Sequence, residues 1–280
     1  MEGNQNPKWL NLIEHWVVNK IQLVTTDDVR QSMGAETNLN AARRMIGRLK
    51  AKGFLEVAGY GVYKVHPLSL GEYKAQDPHA RVAALAKRGV KFYVGFNTAA
   101  GYYRWTPDSY GTIMLAVRAG HVPNIPDVTG TKIKMVDVDK DYLEPEIVIN
   151  KWEGYEIPFS SKEKTIVDVV DKEELVGGYA GCLRILERTK RDRLVDWDRV
   201  AEIASEYKSV RLCKRLGWLV EKAGIEWSPL AIGRLKKQWP ENHGAYLQGD
   251  GKNGTGKWNS KWQIIINVPE KQLEPEVGIL

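Results

Sequence analysis

Residues 37–52 of this 280-residue chain read Thr-Asn-Leu-Asn-Ala-Ala-Arg-Arg-Met-Ile-Gly-Arg-Leu-Lys-Ala-Lys, and Gly53 closes them. No other stretch constrains the fold as strongly. Leu39, Ala42, Ile46 and Leu49 recur at helical spacing and predict one apolar stripe. Thr37 or Asn38 suits the N-cap, and Gly53 suits the left-handed residue after the last turn. The opposite side carries Asn40, Arg43, Arg44, Gly47 and Arg48. Asn40, Arg44 and Arg48 lie four apart and share a face. Amide and guanidinium groups in that array suit base edges or phosphates in a DNA major groove. Taken alone, the stretch reads first as an ordinary amphipathic helix with a solvated basic face.

Its surroundings shift that balance. Residues 54–65, Phe-Leu-Glu-Val-Ala-Gly-Tyr-Gly-Val-Tyr-Lys-Val, predict two short strands around a Gly-Tyr-Gly turn. Upstream, Trp9, Leu12, Ile13, Trp16 and Val17 predict a first helix and Ile21 to Val24 a short strand. Thr25 or Thr26 caps a second helix ending at Met33-Gly34. Helix, strand, helix, tight connection, basic helix, hairpin: the order resembles a winged helix-turn-helix domain over residues 1–66, with the third helix in the recognition position. On that reading Asn40, Arg44 and Arg48 enter the major groove, and Asn38 is a further DNA-binding residue. Arg43, Lys50 and Lys52 hold phosphates, and Tyr60 and Lys64 on the wing touch the backbone or minor groove. A winged-helix protein-interaction module would show the same pattern of caps and apolar spacing.

Charge supports a polyanionic partner. Residues 1–66 carry 9 Lys/Arg against 6 Asp/Glu, residues 67–179 carry 14 against 16, and residues 180–262 carry 17 against 10. Basic ends around a slightly acidic middle suit contact with nucleic acid at both. No run of eighteen apolar residues and no signal-peptide pattern is present, so a cytoplasmic protein without a membrane partner is expected. Cys182 and Cys213 fall on apolar helical faces and read as reduced core residues. The five histidines never fall at metal-ligand spacing, so no zinc site is expected, and no cofactor is assigned.

Beyond the wing the expected class is α+β. Residues 67–79 read as a linker and residues 80–268 as a second domain. That domain divides into a mixed α/β middle block (80–176) and a mainly helical part (177–268) closed by a β-hairpin, with 269–280 as a tail. The expected hairpin pairs Ala245–Gln248 with Trp262–Asn267 across a glycine-rich turn, and Pro/Gly-rich 120–130 is a loop. Ser160 is expected to open a helix, with Glu163 completing a capping box.

Motifs of catalysis do not hold together. Gly249, Gly251 and Gly254 spell G-x-G-x-x-G, and Gly251 to Lys257 spells G-x-x-x-x-G-K, but Trp258 stands where a phosphate loop needs Ser or Thr, and no helix follows. Asp137 and Asp139 lack the Gly-Ser pair of a nucleotidyltransferase. No nucleophilic triad is visible, and no catalytic residue is assigned. An enzyme acting on DNA would need carboxylates such as Asp137, Asp139 and Glu146 to converge.

Several stretches, taken in order, resemble the AbiEi family, the antitoxins of type IV toxin–antitoxin systems. They are the N-terminal winged helix; Phe-Tyr-Val-Gly-Phe-Asn-Thr-Ala-Ala-Gly-Tyr-Tyr (92–103); Ile-Pro-Phe-Ser-Ser-Lys-Glu-Lys-Thr-Ile-Val-Asp-Val-Val (157–170); Arg-Leu-Cys-Lys-Arg-Leu-Gly-Trp-Leu-Val-Glu-Lys-Ala-Gly (211–224); and Lys261-Trp-Gln-Ile-Ile-Ile-Asn267. Ser161-Lys162 departs from the usual Pro before Glu163. The resemblance implies a non-enzymatic transcriptional repressor that binds double-stranded promoter or operator repeats, as a monomer or dimer, and counters a nucleotidyltransferase toxin. It implies further that a basic C-terminal face is needed for antitoxicity, which here points to Arg184, Arg188, Arg191, Arg211, Lys214 and Arg215.

Overall fold

A computed structural model describes residues 7–66, 77–106, 111–118, 120, 131–191, 194–237, 239, 244–249 and 255–274. Most of the expected linker (67–76), the loop 121–130, Gly251 and Gly254 of the glycine-rich turn, and the end of the tail lie outside the described residues. The class is α+β. The chain divides into two compact units, one of Met1–Phe92, Pro123–Ile133 and Ile149–Pro158, the other of Tyr93–Val122, Lys134–Val148 and Phe159–Leu280.

The first unit opens with α1 (Lys8–Val18), β1 (Leu23–Thr25), α2 (Thr26–Met33), α3 (Leu39–Ala51), β2 (Leu55–Gly59) and β3 (Val62–Val65). The strands form an antiparallel sheet in the order β1-β3-β2. That is the winged helix-turn-helix arrangement. Local chemistry sets its boundaries. Thr25 Oγ1 accepts the Asp28 N–H at 3.1 Å while an Asp28 oxygen accepts the Thr25 N–H at 2.8 Å, a reciprocal cap on α2. Asn38 Oδ1 accepts the Ala41 N–H at 2.9 Å and caps α3. Leu12, Ile13, Trp16, Val29, Ala42, Met45, Ile46 and Leu49 meet in one buried cluster. Leu39 does not join it and is 45% exposed. It is the first residue of α3, and the buried side of the helix is made of Ala42, Met45, Ile46 and Leu49. Downstream, α4 (Pro78–Lys87) starts from Asp77, whose carboxylate accepts the N–H groups of His79 and Ala80.

The chain continues through β4 (Phe92–Val94), α5 (Phe96–Tyr102), β5 (Thr112–Arg118), β6 (Lys132–Val138), α6 (Lys140–Leu143), β7 (Ile147–Trp152) and β8 (Tyr155–Ser160). These five strands hydrogen-bond in the order β6-β5-β4-β8-β7. Next come α7 (Lys162–Asp171), α8 (Gly178–Thr189), α9 (Trp197–Glu206), α10 (Val210–Lys222) and α11 (Pro229–Lys236), then β9 (Ala245–Tyr246), β10 (Lys257–Asn259) and β11 (Ile264–Ile266). The main core of the second unit gathers Ile166, Val170, Leu186, Val200, Leu216, Leu219 and Trp262. Trp262 lies so close to α10 that a Cβ on Gly217 would fall 2.2 Å from its ring.

Two expectations are corrected. The terminal hairpin is β10 with β11, and β9 joins β11 in parallel. Asn267 holds that edge by accepting the Gln248 N–H and donating to the Gln248 carbonyl. The cap of α7 is Ser161, which accepts the Lys164 N–H at 3.1 Å. Ser160 is buried and bonds to Thr165 Oγ1 instead, and Glu163 accepts the backbone N–H of Asp196. Proximity in sequence made Glu163 look like a partner for its own helix start, but its carboxylate is used by another segment.

Candidate nucleic-acid interface

Burial of Ala42, Met45, Ile46 and Leu49 fixes the roll of α3. The same rotation turns Asn40, Arg43, Arg44, Gly47, Arg48 and Lys50 outward, and all are exposed. Gly47 keeps the middle of this face low, and a Cβ there would meet nothing within 4 Å. Among the described residues no ion pair or side-chain hydrogen bond engages Asn40, Arg43, Arg44, Arg48 or Lys50. Asn38 is exposed as well, but its side-chain oxygen is committed to the cap, which leaves its amide N–H₂ as the outward donor. Lys52 reaches over the Trp9 ring at 5.0 Å, so it lies at the helix end rather than along the central face.

In the wing, Tyr60 and Gly61 carry φ values of 53° and 71°, the paired positive φ that a two-residue type I′ turn requires. Tyr60 is 38% exposed at this tip. Burial raises its phenol pKa, against the lowering effect of the Arg81 charge, so it acts as a neutral hydrogen-bonding group near pH 7. Lys64 was expected beside it on the DNA-facing side. Instead its ammonium is half-buried and donates to Asp77 at 2.6 Å, 5.9 Å from the Tyr155 ring. Alternation along β3 places it away from the tip, in a structural ion pair.

The basic residues of the second unit do not form one surface. Arg211 is exposed. Lys214 and Arg215 belong to the buried side of α10: Lys214 is 0% exposed, 4.7 Å from the Trp239 ring, and Arg215 packs over Tyr179 with Glu173 at 3.5 Å. These two are therefore not surface contacts. A net charge counted along the sequence cannot tell a basic face from cations whose stems bury in the core. Arg184, Arg188 and Arg191 do come together, lining one open cleft of about 740 Å³ with Tyr103, Arg104, Trp105 and Glu187.

A second polar constellation lies inside the same unit. Lys164 Nζ donates to the Tyr207 hydroxyl at 2.6 Å and lies 3.5 Å from Asp168. The hydroxyls of Tyr207 and Tyr93 donate to the two Asp168 oxygens at 2.6 and 2.9 Å. Burial raises the Asp168 pKa, against the Lys164 charge and the two phenol hydrogen bonds. Every carboxylate oxygen is satisfied, so the group acts as a polar staple joining β4, α7 and the end of α9. The i,i+4 Lys and Asp inside an otherwise apolar helix face are its sequence signal, but nothing local shows that Tyr93 and Tyr207 complete it.

The carboxylates a DNA-acting enzyme would have needed are otherwise placed. Asp139 caps α6 by accepting the Asp141 N–H, Glu146 pairs with Arg199 at 2.6 Å, and Asp137 is exposed. Among the described residues no three His, Cys, Asp or Glu side chains form a group that could hold a metal. Cys182 and Cys213 are buried free thiols, and burial pushes Cys213 up to about 12. No helix among the described residues is long and apolar enough to cross a membrane.

No protein-family model and no curated protein matches this sequence. Among solved structures the chain is similar to the crystal structure of the RV2827C protein from Mycobacterium tuberculosis, with a TM-score of 0.58 and 16% identity over 93% of this chain and 92% of that one. At that identity the likeness is one of fold.

Proposed function

We propose that the protein is a sequence-specific DNA-binding repressor of the AbiEi antitoxin type, reading its operator through α3 and the wing. The observation that carries the reading is the outer face of α3. Four cations and one amide stand exposed on one side of the helix that follows the turn, without intramolecular partners among the described residues. Folding makes no use of them, and their chemistry matches guanine and adenine edges and the phosphates that flank them. Asn40 and Arg44 lie at the N-terminal half of the helix, the end that reaches base edges in helix-turn-helix docking. Arg48 continues their row one turn further on, and Arg43 and Lys50 flank it and suit the two backbones.

The ordered resemblance of residues 92–103, 157–170, 211–224 and 261–267 to AbiEi stretches supports the antitoxin part of the proposal, with a nucleotidyltransferase toxin as the functional counterpart. A reporter fused to the DNA upstream of the protein's own gene tests it. Expression of the full chain represses the reporter, and Arg44→Ala relieves repression at unchanged protein level. Equal reporter activity with and without the protein contradicts autoregulation.

A further inference from the structure

The cleft of the second unit has features that the DNA-reading proposal does not use. Among the described residues, Arg104, Arg184, Arg188 and Arg191 line it against a single carboxylate, Glu187. None of the four has an ion pair among the described residues. Arg184 and Arg188 are one helical turn apart on α8, and Arg191 follows where the helix has ended, so the three share a side.

Trp105 supplies an independent observation. It lines the same cleft, is 2% exposed, and its Nε1–H is buried with no hydrogen-bond partner among the described residues. Buried donors are nearly always satisfied, and the wall of this cationic cleft carries one that has no acceptor among the described residues.

The backbone adds a third. The Arg104 N–H donates to Gly101 and the Trp105 N–H to Ala100, the paired bonds of a Schellman cap on α5. The residue at the left-handed position of that cap is glycine in α3, α4 and α10, which close with Gly53, Gly89 and Gly224, whereas α1 closes on Lys20 at φ 56°. In α5 it is Arg104, at φ 64°. That turn carries the Arg104 side chain into the cleft lining.

We infer that this cleft binds a phosphate group, carried by a nucleotide or by a single-stranded RNA. Four guanidinium groups supply planar, charge-assisted donors of the kind that grip phosphate oxygens, and the Trp105 N–H supplies one further donor. The site lies within the second unit and does not depend on α3.

Calorimetric titration of the full chain at about 0.15 M salt with ATP, pyrophosphate, adenosine and an unphosphorylated single-stranded oligoribonucleotide tests it. Saturable binding of ATP and pyrophosphate but not adenosine assigns the cleft to free nucleotide phosphates. Binding of the oligoribonucleotide alone assigns it to backbone phosphates. In either case Arg188→Ala, Arg104→Gly and Trp105→Phe each weaken binding about tenfold or more, the loss of one charge-assisted or buried hydrogen bond. Arg104→Gly relieves a left-handed residue and Trp105→Phe removes an unpaired N–H, so neither lowers the Tm. Absence of saturable binding by every probe, or binding indifferent to all three substitutions, overturns the inference.

Discussion

The ammonium of Lys64, on the second strand of the wing, donates to the carboxylate of Asp77 at 2.6 Å. The same carboxylate caps α4 and accepts the Tyr155 hydroxyl at 3.0 Å. Burial by itself would raise the Asp77 pKa, but the hydrogen bonds of His79, Lys64 and Ala80 and the Lys64 charge outweigh it and hold the carboxyl well below its usual range. A carboxylate whose folded pKa is depressed adds stability above its unfolded value near 4 and loses it as pH falls through the folded one. Asp77→Asn is therefore expected to lower stability by about 1–2 kcal/mol at neutral pH, in the range of a lost cap, and to flatten the decline in Tm below about pH 4. Thermal melts from neutral to acid pH check both.

Lys64 also separates structure from recognition within the wing. Lys64→Ala is expected to lower the Tm while leaving DNA affinity within about twofold of the parent, because no free charge is removed from the interface. Lys50→Ala is expected to do the reverse. It should leave the Tm unchanged, weaken all duplexes alike and reduce the salt slope by about one. Paired melting and binding curves for the two variants give the comparison.

Gly217 has no room for a side chain. A Cβ would sit 2.2 Å from the Trp262 ring, whose indole N–H donates to Glu221 at 2.8 Å. Gly217→Ala is expected to destabilise the chain by about 1–3 kcal/mol or more through overpacking, despite the better helix propensity of alanine. Chemical denaturation measures it.

The buried staple allows a double-mutant test. Lys164→Met leaves the Asp168 carboxylate without its cation and is expected to cost about 3–5 kcal/mol. Adding Asp168→Asn removes the uncompensated charge and should restore part of that loss. Strictly additive losses in a denaturation cycle would show that the two groups do not act as a pair.

The winged helix was legible in the sequence because its determinants are local. Thr25 and Asn38 cap helices within three residues, and the α3 stripe repeats at helical spacing. Tyr60-Gly61 marks a turn by its own conformation. Long-range pairing was not legible. The strand at Ala245–Tyr246 looks like one arm of a hairpin, yet it pairs in parallel with β11, and sequence spacing carries no sign of that direction. Several contacts inside the second unit join residues far apart in sequence: Tyr93 meets Asp168, and Gly217 and Glu221 meet Trp262. For the candidate site, α3 placed its outward residues as expected. Lys64, Lys214 and Arg215 read as surface cations in the sequence because charge there says nothing about which side of a strand or helix the core will cover. Arg104 and Trp105 carry no local signal because they join Arg184, Arg188 and Arg191 only through the fold.

The most direct test of the central claim is fluorescence anisotropy of the purified chain on duplex DNA from upstream of its own gene, against a scrambled duplex, across a salt series. Selective binding with a steep negative dependence on salt is expected. Arg44→Ala is expected to lose about 1–3 kcal/mol on the specific duplex and little on the scrambled one. Equal, weak binding to both duplexes, or an operator affinity unchanged by Arg44→Ala, would contradict that claim.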